Sequence, residues 1–224
     1  MPTLLLELVA PMQSWGTTSR FDERDSQLEP SKSGVLGLIC AALGRDRGEP
    51  VDDLVRLRMG VRVDREGMLM RDYQTAQGVL IAGTGKPDRE RTVVSPRFYL
   101  ADAAFLVGLE GEDGALLARI AEALTRPRWP LALGRKAFPP SRPLVTDATQ
   151  AVVPAALEEA LAQRARVAAP RREHLAQPVR LLLETPGVGS LRHDQPIAPF
   201  STRQFGPRFV SSGVLDHVPE PAQA

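Results

Sequence analysis

Cysteine and histidine are scarce in this chain, and each scarcity excludes a class of site. The single cysteine, Cys40, allows no disulfide framework within the chain, and its place in an apolar helical run predicts a small buried side chain. The three histidines show no HxxxH or HExxH spacing, and no CxxC pair occurs. A GxSxG nucleophile motif is missing as well. We therefore expect no metal, no cofactor and no catalytic residue.

Long apolar runs are also missing. No stretch of about 18 apolar residues occurs, which argues against a transmembrane helix. The first residues lack the basic region and the long apolar segment of a signal peptide. We therefore expect a cytoplasmic protein with no membrane contact. The formal net charge is only +1, so any nucleic-acid surface must be a local basic patch balanced by acidic residues elsewhere.

Lysine is rare where arginine is abundant, since only three of the 28 basic residues are lysines. Arginine presents a planar fork that bonds phosphates and stacks on bases. A GC-rich genome, whose codons favour arginine, alanine, glycine and proline, explains the same bias, and composition alone favours that explanation.

Apolar periodicity predicts the regular elements. Strands are expected at residues 3–10, 57–64 and 104–109, helices at 31–43, 52–56 and 114–124, and an extended stretch at 129–133. Residues 68–72 could pair with 57–64 through a turn at Glu66 and Gly67. Residues 78–94 are expected to form an extended or flexible hairpin, and residues 11–30 a long loop of the kind that usually has a function.

This order of strands and helices suggests an α+β sandwich of the ferredoxin-like kind, which RNA-binding domains commonly use. After residue 147 the sequence becomes richer in proline and irregular. It keeps a possible short helix within 153–166 and brief strands at 179–184 and 208–210. We therefore predict a main domain of residues 1–147 and a small region of residues 148–224.

Two segments near the N-terminus have chemistry that suits RNA. At Ser31, Lys32, Ser33 and Gly34, hydroxyls, an ammonium and free N–H groups converge on a helix start, which suits a phosphate. Ordinary N-capping, which needs one serine, explains the same residues. In the loop before them, Trp15 could stack on a base beside Gln13, or it could pack into the core and anchor the loop.

A third segment, residues 126–146, carries five basic residues and no acidic residue, with Trp129 and Phe138 between them. Such a segment fits a groove that follows a nucleic-acid backbone. A solvated, proline-rich connector is the alternative. The run of Gly83 to Lys86 lacks the Walker A spacing and is expected to be a loop tip.

Several motifs closely resemble the CasD family, a subunit of the type I-E CRISPR Cascade complex in the RAMP superfamily. They are Pro11-Met12-Gln13-Ser14-Trp15-Gly16, Ser19-Arg20-Phe21, residues 30–44, Arg71-Asp72-Tyr73-Gln74-Thr75, residues 95–103 and Leu133-Gly134-Arg135-Lys136. The resemblance covers roughly residues 1 to 145 and is weak beyond 147.

The resemblance implies a ferredoxin-like (RRM-like) RAMP domain with an inserted β-hairpin thumb at about 76–96 and a small β-rich C-terminal region. It implies binding of the 5′ handle of the guide (CRISPR) RNA, beside the CasC backbone subunit and the CasA large subunit, with target DNA reached through the assembled complex. Members of this type are regarded as non-catalytic.

On this basis the predicted RNA-binding residues are Gln13, Trp15, Lys32, Ser33, Gly34, Tyr73, Gln74, Arg97, Arg135 and Lys136. Two alternatives stay open. Type I-C relatives cut RNA, so a metal-independent endoribonuclease could use Tyr73, Lys136 and one histidine. A scaffold that only bridges subunits is the third hypothesis.

Overall fold

The computed structural model of the chain describes residues 1–17, 23–81, 83–171 and 177–220. It is a mixed α/β protein with antiparallel sheets and few helices. The strands are β1 (Thr3–Val9), β2 (Met12–Gln13), β3 (Arg58–Arg65), β4 (Met68–Leu80), β5 (Pro87–Ala101), β6 (Ala104–Glu110), β7 (Val152–Val153), β8 (Val179–Glu184), β9 (Ser190–Pro196) and β10 (Phe205–Leu215). The helices are α1 (Lys32–Leu43), α2 (Asp52–Val55), α3 (Gly114–Thr125), α4 (Ala148–Ala151) and α5 (Leu157–Gln163).

The main sheet has seven strands in the order β7-β1-β6-β3-β8-β10-β9. Its centre is apolar on both faces, because β6 is buried along its whole length and most of β1 is buried too. Side chains of α1 and α3 pack on one face, and α5 covers part of the other through Leu157 and Leu161. The buried strands predicted at 3–10 and 104–109 are confirmed.

Helix α1 begins and ends where the sequence predicts. The Ser31 hydroxyl accepts a hydrogen bond from the Gly34 N–H at 3.3 Å, which satisfies one of the free donors at the helix start. Gly44 ends the helix in the left-handed conformation at φ +74°. Leu36 and Ile39 are fully buried, and burial raises the pKa of the Cys40 thiol to about 11.

A second sheet, β2-β5-β4, is dominated by the long β4–β5 hairpin. The two strands pair from Met68 opposite Ala101 to Leu80 opposite Pro87, so the hairpin is longer than the 78–94 expected. The predicted pairing of 57–64 with 68–72 is wrong. Both edges of β3 are occupied, by β6 and β8, so the chain leaves the main sheet after Arg65 and β4 pairs with β5 instead.

The residues after 147 add strands to the main sheet. β8 pairs with β3, β10 pairs with β8, and β9 forms the edge. The predicted strands at 179–184 and 208–210 are confirmed, and the helix expected within 153–166 is α5. The division into a main domain and a C-terminal region stays a prediction. None of the helices in the described ranges is long and apolar enough to cross a membrane.

The segment predicted to be extended at 129–133 is irregular and follows α1 closely. The Trp129 N–H donates to the Ala41 carbonyl at 3.1 Å, and the Ser14 N–H donates to the Leu133 carbonyl at 3.0 Å. Gly134 then turns at φ +93°, where a Cβ would lie 1.6 Å from the Ser14 carbonyl oxygen. No side chain fits between these two backbones, so residue 134 must be glycine.

We expect Gly134→Ala to lower the free energy of unfolding by at least about 2 kcal/mol, from the clash and the left-handed backbone together. Gly78→Ala is the matched control, because Gly78 also has a positive φ (+65°) but nothing lies within 4 Å of its Cβ position. Urea unfolding of both variants checks this. Equal losses would show that the clash at Ser14 has no energetic consequence.

We expect the Cys40 thiol to stay protonated and slow to react with iodoacetamide at pH 8, because its pKa of about 11 lies well above that pH. The unfolded chain, with an ordinary thiol pKa of about 8.5, should react much faster. Fast alkylation of the folded protein at pH 8 would contradict the burial of this side chain.

Candidate functional site

Two open clefts adjoin on one side of the molecule and share walls formed by Ser14, Gly16, Gly134 and Phe205. The first, here called the α1 cleft, has a volume of about 550 Å³ and lies against the first turns of α1. The second, here called the arginine cleft, has a volume of about 490 Å³. Its wall includes Arg24, Arg135 and Arg203. Together they form an extended concave surface.

The α1 cleft combines exposed backbone, aromatic rings and cations. Ser33, Gly34 and Gly37 form its floor, and nothing lies within 4 Å of the Cβ position of Gly37. Its other walls come from three further segments. They contribute Trp129 and Pro130, Phe200 and Phe205, and the exposed cations Arg47 and Lys136. Flat rings beside cations suit a base and its phosphate.

Lys32, whose ammonium is predicted to hold a phosphate at the start of α1, makes its hydrogen bonds inside the protein. Lys32 is 1% exposed, and its Nζ donates to Glu184 at 2.9 Å and to the Val55 carbonyl at 3.0 Å. Its backbone N–H donates to Asp194 Oδ2 at 2.8 Å. Burial is the main cause that lowers the pKa of Lys32, and Glu184 opposes it. Ser33 and Gly34, in contrast, face the α1 cleft.

Gln13 and Trp15 are also buried, at 0% and 1% exposure. The Gln13 amide donates to the carbonyls of Leu8 and Ala103 at 3.1 and 2.9 Å, and its oxygen accepts from the Trp15 indole at 3.2 Å. The Trp15 ring lies against Gly34, where a Cβ would approach it to 2.9 Å. The structure therefore gives Trp15 the anchoring role that the sequence left open as an alternative, and a stacking role for it stays a prediction.

The predicted residues of the hairpin lie on two faces. Tyr73 is 65% exposed on β4, opposite Pro96. Gln74 and Arg97 point to the other face, because side chains alternate along a strand. Arg135 lies near Arg97, and its guanidinium stacks over the Phe138 ring at 5.8 Å. The structure thus brings Arg97 and Arg135 together and leaves Tyr73 apart from them.

Sequence reasoning missed several residues that line these clefts. Arg24 belongs to the long loop, where no pattern marks it. Arg203, Phe200 and Phe205 come from the C-terminal region, which has neither a clear period nor a strong family resemblance. Trp129 was the one that the sequence could indicate, because it lies in the basic segment 126–146.

The residues of the ribonuclease hypothesis are spread over several parts of the fold. His193 is exposed on β9 and His217 is exposed after β10, while His174 lies outside the described residues. Lys136 lines the α1 cleft, and Tyr73 is on the hairpin. Within the described ranges, no group of three His, Cys, Asp or Glu side chains could hold a metal ion.

A sequence model of the family described as "CRISPR-associated protein (Cas_Cas5)" matches residues 3–211. The chain belongs to this family. The match extends well beyond residue 145, where the motifs recognisable in the sequence end, so the Cas_Cas5 family includes the C-terminal strands as well.

Relatives agree with this assignment. The CRISPR system Cascade subunit CasD of Escherichia coli (strain K12) is 33% identical over 164 residues, which are 67% of this chain and 73% of that protein. A solved structure titled "Crystal structure of Cas protein" is 46% identical with a TM-score of 0.79, over 99% of this chain and 100% of the other. A chain of a "CRISPR RNA-guided surveillance complex" is 34% identical with a TM-score of 0.78, over 95% and 90% of the two chains.

We expect Lys32→Ala to lower the free energy of unfolding by about 3 kcal/mol, because it removes the ammonium that pairs with the Glu184 carboxylate at 2.9 Å. Lys136→Ala, which removes an exposed lysine, should change it by less than about 0.5 kcal/mol. Denaturant titrations of both variants test this. If Lys32→Ala unfolds like the wild type but binds RNA less well, the ammonium is a ligand contact and not a structural one.

Proposed function

We propose that this chain is a subunit of a CRISPR surveillance complex that binds and caps the 5′ handle of the guide RNA without cutting it. The observation that carries the proposal is the pair of adjoining clefts, in which aromatic side chains and cations surround the exposed backbone of α1. Membership of the Cas_Cas5 family supports it, and so does the likeness to a Cascade subunit and to a chain of an RNA-guided surveillance complex.

The chemistry of the clefts suits single-stranded RNA better than a duplex. Trp129, Phe200 and Phe205 are spaced through the α1 cleft, and a base must be unstacked from its neighbours to reach such rings. Lys136, Arg135 and Arg203 lie along the same surface and can neutralise successive phosphates. The net charge of only +1 means that this basic surface is local.

The fold supports a ferredoxin-like RAMP domain with a thumb. Along the chain, the elements β1, α1, β3, β6, α3 and β7 follow the βαββαβ pattern of a ferredoxin-like fold. In the main sheet these four strands lie in the order β7-β1-β6-β3, in which the fourth strand is next to the first and the third lies between the first and the second, as in a ferredoxin-like sheet. The β4–β5 hairpin leaves this sheet between β3 and β6 and would be the thumb. In the same proposal, residues 1–147 are the RAMP domain and residues 148–224 complete its sheet.

The expected protein partners are the CasC backbone subunit and the CasA large subunit, with target DNA reached through the whole complex. Exposed apolar side chains at the base of the hairpin support a protein contact there: Met68, Leu69 and Met70 are 52%, 51% and 41% exposed. Side chains of this kind are common where one subunit covers another.

We expect Arg135→Ala combined with Lys136→Ala to weaken binding of a repeat-derived handle RNA and to reduce the log–log salt slope by about 0.7 for each lost phosphate contact. Fluorescence anisotropy at several salt concentrations measures both. Arg56→Ala combined with Arg119→Ala is the matched control, because it removes two exposed arginines that line neither cleft and lie outside segment 126–146. An unchanged slope in the first variant would reject the assignment.

Incubation of the purified chain with the same RNA, without metal, separates this proposal from the ribonuclease hypothesis. Intact RNA bound through its handle is the expected result. Specific cleavage that His193→Ala, His217→Ala or His174→Ala abolishes would make the protein an enzyme.

A further inference from the structure

The connection between β9 and β10, residues 197–204, is shared between the two clefts. Phe200 of this connection lines the α1 cleft, while Thr202 and Arg203 line the arginine cleft. Phe205, the first residue of β10, lines both clefts. The centroids of the Phe200 and Phe205 rings are 6.5 Å apart. The connection therefore brings a pair of rings to one cleft and a cation to the other.

Hydrogen bonds hold this connection in place. The Ser201 N–H donates to the Arg47 carbonyl at 2.8 Å, which ties the connection to the segment that follows α1. The N–H and the hydroxyl of Thr202 both donate to the Pro199 carbonyl, at 3.0 and 2.9 Å. These bonds fix the backbone immediately before Arg203, and β10 begins two residues after it.

Arg203 has a backbone conformation that arginine rarely adopts. Its φ is +52°, in the left-handed region where a Cβ crowds the following carbonyl oxygen. Glycine enters this region without that cost. Within the described residues, Asp102 is the one other non-glycine residue with a positive φ, at +57°. The Asp102 carboxylate pairs with Arg65 and Arg171, so contacts within the protein accompany the strain there.

Contacts within the protein do not explain why residue 203 is an arginine. Its side chain is exposed and makes no hydrogen bond, ion pair or ring contact with the part of the chain that the structure describes. The fold requires a turn at this position but no arginine side chain, since glycine would make the same turn with less strain. Residues in such sparsely populated conformations are common at ligand sites, where stability is given up for function.

We propose that Arg203 binds a phosphate of the RNA backbone in the arginine cleft, and that its strained backbone is retained for this contact. A guanidinium bonds two phosphate oxygens at once, and a fixed backbone reduces the entropy that this contact costs. Because Phe205 borders both clefts, a base next to this phosphate can reach the rings of the α1 cleft. The inference rests on the proposed function, and it makes the β9–β10 connection part of the RNA site.

The first test compares the full-length wild type with Arg203→Gly and Arg203→Lys, in thermal melting and in binding of a repeat-derived handle RNA. Arg203→Gly should melt about 2–4 °C higher, because it relieves the strain. It should bind the RNA roughly tenfold more weakly, and its log–log salt slope should fall by about 0.7 for one lost phosphate contact. Arg203→Lys should keep both the slope and the melting temperature, because it keeps the charge and the strain.

Arg119→Gln is the matched control, because Arg119 is exposed and lines neither cleft. It should change neither the RNA affinity nor the salt slope. Unchanged binding by Arg203→Gly would overturn the inference, and so would weaker binding with an unchanged slope, since the contact would then not be a phosphate. A lower melting temperature of Arg203→Gly would show that the arginine stabilises the free protein, which contradicts strain retained for binding.

Handle RNAs with one neutral methylphosphonate linkage each locate the phosphate. One linkage should stand out with the wild type and with Arg119→Gln, and it should lose its effect with Arg203→Gly. If the scan is flat while Arg203→Gly fails to join its partner subunits, the arginine binds a protein carboxylate and the inference is wrong.

A single-stranded RNA of the same length without the handle sequence separates this inference from the proposed function. Phosphate contacts carry no sequence information, so Arg203→Gly should weaken the binding of both RNAs by the same factor. A wild type that binds both RNAs equally well would reject handle recognition and leave the phosphate contact standing. Equal binding of the wild type and Arg203→Gly to both RNAs would overturn the phosphate contact and leave handle recognition untouched.

Discussion

Charge neutralisation at the first turn of α1 is the constraint on which the arrangement of this molecule depends. Lys32 is buried with Glu184 from β8 and receives a carboxylate, Asp194 from β9, on its backbone N–H. Arg208 of β10 donates to both oxygens of Asp194, at 2.6 and 2.9 Å. A buried charge without its partner is strongly destabilising, so these strands cannot leave α1 without a large cost. The carboxylate also interacts favourably with the helix dipole.

This network determines where the protein can bind an anion. A helix start is an ordinary place for a phosphate, but here a carboxylate of the protein already takes the N–H of Lys32. The cations that line the clefts lie instead on irregular segments around the helix, at Arg24, Arg135, Lys136 and Arg203. The helix contributes a smooth floor of serine and glycine to the α1 cleft, and the loops contribute the charge. Electrostatic attraction and shape thus come from different parts of the chain.

Local features of the structure could be predicted from the sequence because their causes are local. The cap at Ser31, the left-handed end at Gly44 and the apolar face of α1 need only neighbouring residues. The pairing of β3 with β4 was predicted wrongly, because the turn at Gly67 is a local signal while the partners of β3 come from residues far along the chain. Lys32 shows the same limit. A lysine beside two serines is typical of a phosphate site, and only the positions of Glu184 and Asp194 show that this lysine makes its contacts inside the protein.

The candidate site follows the same pattern. The segment 126–146 was recognisable by its charge, and Lys136 and Trp129 do line the α1 cleft. Phe200 and Phe205 were not recognisable, because two isolated aromatic residues in an irregular stretch have no period and acquire a role only through the fold. The family model matches the chain as far as residue 211, so Phe200 and Phe205 lie within the part of the chain that the family shares.

The distance in sequence between the charges at α1 has a consequence for synthesis on the ribosome. Lys32 and Asp194 are 162 residues apart. Chains emerge from their N-terminus and begin to fold as they do so, so α1 can form early from its own cap and apolar face. Its buried lysine, however, has neither carboxylate until nearly the whole chain has been translated. The charge network of α1 can therefore close only after translation of the last three strands, because Glu184, Asp194 and Arg208 lie on β8, β9 and β10.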